Sequence, residues 1–444
     1  MKLITTSREG GKWQEREFVF AGGIKSGIPL IIVDETKTYQ THMGFGAAFT
    51  EAAALTLREA GAKREEVIRA CFGKEGLRYR LGRVPIHSCD FSTGLWTYAR
   101  ENDRELASFD LSHDDALLVP LIKDCKKECG ELFLMASPWS PPAWMKENGS
   151  MLHGGKLKRD CYSVWADYFV KYILEMEKRG LKIDVVSVQN ETEAVQVWES
   201  CVYTAEEEAA FVKVLHKAFE RAGIAAKIAV VDHNRDIVVN RCLKEFADEE
   251  VRSAVWGIAY HWYCSERSEN LSLLHALYPE KHIFLSECSV ELGGEEIGDW
   301  THAERYGRQI IRDFNHGSEG WIDWNLALDE QGGPNHVGNY CEAPVMYHRK
   351  KGEVLYQPSY YYIGHFSRFI EKGAKRIFCE TDTDKKLYAV AYKNPNGTLV
   401  CAIQNEEGEQ EINLVVNGNP ARLTLPAHSI QTLLTESSKE RKER

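Results

Sequence analysis

Two glutamates, Glu191 and Glu287, each follow a short apolar segment with the composition of a buried strand. Residues 185–189 (VVSVQ) lead through Asn190 into Glu191, and residues 283–286 (IFLS) lead directly into Glu287. A facing pair of carboxyl groups suits hydrolysis of a glycosidic bond, because one acid protonates the leaving oxygen while the other, ionised, attacks the anomeric carbon. A single glutamate after a strand is more often a helix-terminal or surface charge, so the hypothesis depends on the pair.

Aromatic and polar residues recur at the ends of the other candidate strands. Their rings offer flat apolar faces for an uncharged sugar, and their polar groups could bind its hydroxyls. Taken singly, the tryptophans are more often core residues, and a histidine at the end of a strand is more often structural than a base. The candidates are Asp90, Trp139, Asn190, His261, Trp262, Tyr263 and Trp324.

Other chemistries have weaker support. Asp232-His233 could suggest a metal site, but a third ligand at a sensible spacing is missing, so a structural role is favoured. Residues 44–49 (GFGAAF) begin like a dinucleotide fingerprint but place Phe at the third glycine. The chain has no phosphate-binding Gly-Lys-Ser/Thr, no Gly-x-Ser-x-Gly and no His-Glu-x-x-His.

The elements that must position these residues alternate between apolar and amphipathic segments. Eight strand-then-helix units predict a (β/α)8 barrel, and a doubly wound sheet is the alternative. The predicted strands are Gly44–Ala48, Tyr79–Val84, Leu132–Ala136, Val185–Gln189, Lys227–Val231, Trp256–His261, Ile283–Ser286 and Trp321–Trp324. The predicted helices are Asp115–Cys129, Cys161–Lys178, Thr204–Ala222, Val238–Asp248 and His302–His316. Thr204 with Glu207 indicates a capping box, and Gly223 a helix end.

The two ends of the chain show alternating patterns that are typical of antiparallel strands. Period-2 runs occupy residues 374–436, separated by the turns 394–397 and 417–420, and the N-terminal run is expected to join them. We therefore predict residues 1–33 and 374–436 as one all-β sandwich, residues 34–373 as the barrel and residues 437–444 as a charged, frayed tail.

Composition limits the partners. The chain has 444 residues, 55 Lys+Arg and 66 Asp+Glu, a net charge of −11, which argues against nucleic acid or an anionic membrane. Neither a signal peptide nor a run of ~18 apolar residues is found, so we expect a cytoplasmic protein without a transmembrane segment. The twelve cysteines are expected to be mostly buried free thiols. A homo-oligomer is possible on this evidence.

Several ordered motifs resemble glycoside hydrolase family 30, and within it the glucosylceramidase branch. The resemblance extends from about Gly44 to Ile430. The motifs that carry it are residues 83–92 (RVPIHSCDFS), 136–146 (ASPWSPPAWMK), 189–191 (QNE), 258–263 (IAYHWY), 286–287 (SE), 320–328 (GWIDWNLAL), 332–335 (GGPN) and 362–367 (YIGHFS).

The resemblance implies a barrel fused to a β-sandwich and a retaining mechanism, with Glu191 as the general acid/base and Glu287 as the nucleophile. It implies that Tyr263 touches the nucleophile, that Arg83 helps to hold it ionised, and that no metal or organic cofactor is expected. Carboxyl groups about 5–5.5 Å apart and a raised pKa for Glu191 are expected for this mechanism. The sugar-binding positions of the −1 subsite would be Asp90, Trp139, Asn190, Trp324 and Asn339, and we count His261 with the substrate-binding residues.

Departures from the glucosylceramidase pattern affect the expected specificity. Thr192 stands where that branch has Pro, residues 198–203 (WESCVY) resemble bacterial members, and His336 and Gly338 replace an aromatic and a basic residue. We expect an exo-acting β-glucosidase for neutral β-glucosides or glucosyl lipids. The alternatives are a β-xylosidase, a β-fucosidase, a β-1,6-glucanase or, remotely, an inactive carbohydrate-binding protein.

Overall fold

The computed structural model describes residues 1–291, 297–383 and 385–435. The predicted tail 437–444 lies outside this range. Three strands precede the barrel: β1 (Lys2–Ser7), β2 (Gln14–Glu17) and β3 (Leu30–Thr41).

Eight parallel strands form the closed barrel that the sequence predicts. Each predicted strand overlaps one barrel strand, with ends displaced by a few residues at most. They are β4 (Gly44–Ala48), β5 (Leu81–Ile86), β6 (Phe133–Pro138), β7 (Val185–Ser187), β8 (Lys227–Asn234), β9 (Val255–His261), β10 (His282–Glu287) and β12 (Gly320–Asn325). Their interior is filled by apolar side chains, which close the barrel as a packed core. These are Leu81, Met135, Val185, Ala229, Ala259, Phe284 and Ile322.

Helices surround the barrel and follow its strands. They are α1 (Glu51–Glu59), α2 (Arg64–Phe72), α3 (Ser112–Ala116), α4 (Leu118–Cys129), α5 (Tyr162–Lys178), α6 (Ala205–Ala222), α7 (Val238–Glu245), α8 (Glu249–Ala254), α9 (Glu269–Leu277), α10 (Trp300–Asn315) and α11 (Pro358–Ser367). The described part of the chain also has three short 3₁₀ turns, at Gly61–Lys63, Ala143–Met145 and Arg159–Cys161. None of the helices in the described part of the chain has both the length and the apolar character needed to cross a bilayer.

The helix predictions are confirmed at α6, and one predicted helix is interrupted in the structure. Thr204 and Glu207 form the reciprocal capping box, and Gly223 ends α6 in the left-handed conformation with a φ of 66°. The predicted helix Asp115–Cys129 is instead broken at Leu117. Pro120 explains the break, because it has no N–H to donate to the carbonyl of Ala116 and would clash with it in a continuous helix.

Short strands lie in the loops at the carboxyl ends of the barrel strands. They are β11 (Val290–Glu291), β13 (Leu328–Asp329), β14 (Cys341–Glu342), β15 (Val345–His348) and β16 (Glu353–Tyr356). The pairing of β11 with β14 ties the segment after Glu287 to the segment after β12.

The chain then continues into the β-sandwich domain. Its strands are β17 (Lys375–Thr381), β18 (Leu387–Lys393), β19 (Leu399–Asn405), β20 (Gln410–Val416), β21 (Asn419–Leu425) and β22 (Ser429–Leu434). One nine-stranded sheet has the order β2-β1-β22-β19-β18-β17-β3-β20-β21, so both chain ends contribute to it, as expected. Strand β1 lies within residues 1–33, the segment predicted to join the sandwich, and β3 runs across the expected boundary between residues 33 and 34.

The sandwich packs on the barrel through α10 and α11. Gln404 Nε2 donates to the Glu304 carbonyl oxygen at 2.8 Å, and both ring nitrogens of the buried His365 lie 2.9 Å from the hydroxyls of Thr6 and Thr432. Because Thr6 lies in β1 and Thr432 in β22, α11 contacts strands from both ends of the chain.

Candidate active site

A pocket of about 190 Å³ opens at the carboxyl ends of the barrel strands. Its walls come from the loops after seven of the eight strands, so residues far apart in sequence meet there. It is lined by Asp90, Trp139, Asn190, Glu191, Ala194, Gln196, Trp198, His233, Asn234, Tyr263, Glu287, Ser289, Glu291, Trp324, Asn339 and Cys341. Eight of these are predicted catalytic or binding residues, namely Asp90, Trp139, Asn190, Glu191, Tyr263, Glu287, Trp324 and Asn339.

Glu287, the last residue of β10, is held at both carboxylate oxygens. Arg83, buried on β5, donates a hydrogen bond and forms an ion pair with Oε2, and the Tyr263 hydroxyl donates to Oε1 at 2.9 Å. Burial opposes the charge of Arg83, but the carboxylates of Asp232 and Glu287 hold its pKa above the ordinary value. The guanidinium therefore stays charged and favours an ionised Glu287, the form that a nucleophile requires.

Glu191 follows β7 in the left-handed backbone region, with a φ of 50°. Its N–H donates to the Asp232 carbonyl oxygen at 2.8 Å, and its Oε1 lies 3.2 Å from His261 Nδ1 and 3.8 Å from His233 Nδ1. The strained backbone turns the side chain out of the strand direction and into the pocket.

The expected rise in the Glu191 pKa is wrong for this structure. Burial does act to raise the pKa, but the hydrogen bond and charge of His261, together with His233 and Arg83, lower it below the ordinary value. His261 changes in the opposite sense. Burial opposes its charge, yet Glu287, Asp232 and Glu191 raise the pKa of His261 to about 9. The proton that the two groups share thus resides on His261.

His261 also limits the distance between the two glutamates. Its Nδ1 lies 3.2 Å from Glu191 Oε1 and 3.9 Å from Glu287 Oε1. These two oxygens are therefore at most about 7 Å apart, the sum of the two distances. The separation of about 5–5.5 Å used by retaining enzymes is within this limit, whereas most of the inverting range of about 6.5–9.5 Å is beyond it.

Asp232 is the functional residue that the sequence did not single out. Its carboxylate accepts hydrogen bonds from Arg83 at 2.8 Å, from three serines and from His261 Nε2 at 3.0 Å. The serine donors are Ser137, Ser187 and Ser286. Although burial opposes ionisation, Arg83 and His261 hold the Asp232 pKa well below its usual range. Asp232 therefore fixes the two cations that contact the two glutamates.

A bulge in β8 places Asp232. Val231 and Asp232 have positive φ angles of 71° and 43°, and the pairing register with β9 shifts between Val231 and His233. Glu208 on α6 accepts from the Val231 N–H at 3.0 Å and so supports the bulge. The Asp-His pair after a strand was the available signal. In the described residues, no three His, Cys, Asp or Glu side chains are arranged to hold a metal ion.

The remaining predicted residues form the floor and walls of the pocket. The rings of Trp139 and Trp324 stack with centroids 5.1 Å apart, and Asn190 Oδ1 accepts from Arg83 Nη2 at 2.8 Å. Asp90 Oδ2 accepts from Asn339 Nδ2 at 2.9 Å. Burial and the Glu287 charge raise the Asp90 pKa to about 8, so Asp90 is protonated at neutral pH and can donate to a hydroxyl.

Two of the predicted aromatic residues are not among the side chains that line the pocket. His261 is fully buried and contacts both glutamates, and its direct contact with substrate stays a prediction. Trp262 is also buried, with its indole N–H donated to the Ser289 carbonyl oxygen at 3.0 Å. Strand alternation explains Trp262, because this residue points to the opposite side of the strand from its neighbours His261 and Tyr263.

Comparisons with known proteins match this architecture. The glycosyl hydrolase family 30 TIM-barrel domain matches residues 42–370, and the glycosyl hydrolase family 30 beta sandwich domain matches residues 373–433. The chain is 34% identical to putative glucosylceramidase 3 of Caenorhabditis elegans, covering 92% of this chain and 82% of the relative. It is 32% identical to the lysosomal acid glucosylceramidase of Mus musculus, covering 91% and 83%.

Solved structures agree along almost the whole chain. SrfJ from Salmonella typhimurium has a TM-score of 0.95 at 35% identity and covers 98% of this chain and 99% of its own. The endo-beta1,6-glucanase BT3312 has a TM-score of 0.88 at 26% identity, with the same coverage.

Proposed function

This chain belongs to glycoside hydrolase family 30 and is a retaining O-glycosyl hydrolase, and from that premise we propose that it is an exo-acting β-D-glucosidase. In this proposal the enzyme removes a terminal β-linked glucose from neutral β-glucosides or glucosyl lipids. Glu287 attacks the anomeric carbon and Glu191 protonates the leaving oxygen, then activates water to release the sugar.

The roles of the two glutamates are assigned from their different hydrogen-bond partners. Glu287 accepts from Arg83 and Tyr263, both of which favour its ionised form. Glu191 lies against His261, a group that can return a proton to it. A nucleophile must be ionised at the start of the cycle, whereas an acid/base must exchange a proton twice in each cycle.

The shape of the pocket supports exo action on one terminal sugar. The Asn339–Asp90 hydrogen bond joins the loop after β12 to the loop after β5 across one side of the pocket. A volume of about 190 Å³ suits a single ring far better than a chain of rings. The relatives named as glucosylceramidases favour glucose as that sugar.

An endo-acting β-1,6-glucanase is the second candidate, because BT3312 bears that name and aligns over 98% of this chain. In that case the aglycone side would have to accept further glucose units. β-Xylosidase and β-fucosidase use the same pair of carboxyl groups and differ only in contacts to the sugar.

A panel of aryl β-glycosides separates these candidates. The glucoside should be cleaved with a kcat/KM at least ~10-fold above the xyloside and the fucoside, the discrimination that a few contacts to hydroxyls provide. Glu287→Gln should abolish turnover, because the amide cannot attack. On a β-1,6-linked glucan, exo action releases only glucose, whereas early release of mixed oligosaccharides would overturn the exo proposal.

We also propose a cytoplasmic location. The support is the state of the twelve cysteines, all of which are thiols and most of which are buried, as reducing compartments allow. Fractionation of cells that express the natural protein tests this. Homo-oligomerisation stays a prediction, to be tested by light scattering of the purified enzyme.

A further inference from the structure

A histidine–glutamate pair outside the catalytic set joins three loops around the pocket. His336 lies in the loop after β12, and its Nε2 is 3.4 Å from Oε2 of Glu199, in the loop after β7. His336 Nδ1 donates to the carbonyl oxygen of Ser92, at 3.0 Å, in the loop after β5. One imidazole thus links the loops that carry three different walls of the pocket.

The His336 loop is a compact turn that acts as a unit. Asn335 Oδ1 accepts from the N–H groups of Val337 at 2.8 Å and Asn339 at 3.2 Å, and Asn335 Nδ2 donates to the Asn339 carbonyl oxygen at 2.8 Å. We call residues 335–339 the Asn335 turn. The turn contacts the rest of the protein at His336 and at Asn339, whose side chain donates to Asp90. Movement at His336 would therefore displace Asn339 from the sugar-binding part of the pocket.

Glu199 is a fully buried partner, so its negative charge is energetically unfavourable unless a cation lies nearby. Its side chain is 0% exposed, and its backbone forms a bridge to Leu152. The preceding residue, Trp198, lines the pocket. A buried carboxylate needs a nearby positive charge, and in the described structure His336 is the cation that reaches it.

We propose that His336, paired with Glu199, is a positioning residue that holds the Asn335 turn against the pocket and makes substrate binding weaken as the pH rises. The inference rests on the proposed glycosidase function, because it concerns how the substrate is held.

The charges around His336 set the direction of the pH effect. Glu199 and Asp90 are the ionisable groups that face it, with the Ser92 carbonyl oxygen as a further acceptor. The nearby Glu199 carboxylate raises the pKa of His336 above its ordinary value near 6.5, although burial opposes this. The ion pair is therefore complete at acid pH and is lost as the pH rises through the raised value. Its loss also leaves the Glu199 charge uncompensated near Asp90.

The test uses the full-length enzyme with two variants, His336→Gln and Glu199→Gln. A matched control is His428→Gln, because His428 Nδ1 also pairs with a glutamate, Glu304, at 2.9 Å but on the sandwich side of α10. Kinetics with an aryl β-glucoside are measured from about pH 5 to about pH 8, a range that spans the titration of a histidine.

In the wild type and the control, KM should rise about fivefold over this range. In both test variants KM should be high at acid pH and nearly independent of pH, with kcat within about twofold of the wild type, as expected when binding but not chemistry is changed. A pH-dependent KM that persists in His336→Gln would overturn the proposal. So would a variant with a lower Tm but unchanged KM, because that pattern indicates a purely structural role.

Hydrogen exchange gives a readout that does not depend on the substrate. The amides of Val337 and Asn339 should exchange faster in His336→Gln than in the wild type or the control, because the Asn335 turn loses one of its two attachments. Unchanged exchange would overturn the proposal, even for an enzyme that prefers another sugar. A wild type that fails to cleave aryl β-glucosides but shows the exchange effect would instead overturn only the proposed function.

Discussion

The ring of His261 lies against Glu191, with Nδ1 3.2 Å from Oε1. The other ring nitrogen, Nε2, lies 3.0 Å from Asp232 Oδ1. Both nitrogens face carboxylate oxygens, and the surrounding carboxylates raise the pKa of His261 to about 9, which favours the imidazolium form at neutral pH. The free enzyme therefore stores the proton of the general acid one group away from the sugar, on His261, and Asp232 holds the ring in place.

This relationship predicts the alkaline limit of activity. The pKa of His261 is raised to about 9, so its proton is present below that pH and is lost above it. We expect kcat to fall as the pH rises above about 9. In His261→Gln, Glu191 must hold its own proton without the help of a neighbouring cation, so the fall should begin at a lower pH, and kcat should drop by about 100-fold, as for loss of a proton-transfer group.

The pH–rate profile of both enzymes checks this prediction. His233→Gln is the matched control, because His233 also faces Glu191 but at 3.8 Å. Its alkaline limit should stay close to that of the wild type. An unchanged limit in His261→Gln would contradict the shared-proton interpretation.

The role of Glu191 predicts a dependence on the leaving group. In Glu191→Gln, aryl glucosides with poorly acidic leaving groups should lose about 10³-fold in kcat, because no group protonates the departing oxygen. A dinitrophenyl glucoside needs no such help, so it should show a burst followed by slow release of the sugar. Azide should restore turnover and yield a β-glucosyl azide, because this anion attacks without a base. Glu193→Gln is the control, since Glu193 is half-exposed and pairs with Arg241 at 2.8 Å.

The Tyr263 hydroxyl should assist the nucleophile Glu287 in catalysis but contribute little to the stability of the fold. Tyr263→Phe removes the hydrogen bond of 2.9 Å to Glu287 Oε1. We expect a loss of about tenfold in kcat/KM, corresponding to about 1.4 kcal/mol, the contribution of one hydrogen bond to a charged group. The Tm should change little, because the ring is retained. Tyr340→Phe, at an exposed residue next to the Asn335 turn, should leave both quantities unchanged.

The sequence predicted the barrel and the two glutamates because both depend on local patterns. Short apolar runs between amphipathic segments define the strands, and Glu287 directly ends one of them. Asp232 could not be assigned in the same way, since its orientation depends on the bulge at Val231, where strand alternation fails. Residues 1–33 were assigned to the sandwich, but the bounds and pairing of β1 were not predicted, because its alternation spans only six residues and its partner β22 lies more than 400 residues away in the chain.

Asp90 provides a test of substrate binding through its own titration. Burial and the nearby Glu287 charge raise its pKa to about 8, so it is a neutral acid below that pH and becomes a carboxylate above it. Asp90 Oδ1 is buried without a hydrogen-bond partner among the described residues, so the substrate is the group available to it. In the wild type, we therefore expect KM to rise above about pH 8, as the donor is lost and a third negative charge forms beside Glu191 and Glu287.

Asp90→Asn keeps the size and a donor but cannot ionise. The KM of this variant at about pH 6 should stay within about threefold of the wild-type value. At pH values above the range in which Asp90 titrates, the KM of the variant should not increase. Because His261 governs kcat through the chemical step and Asp90 governs KM, the two titrations separate when kcat and KM are measured individually across the alkaline range. A loss of about 100-fold or more in Asp90→Asn at acid pH would show that the ionised carboxylate binds the sugar, and would contradict the assignment of Asp90 as a neutral donor.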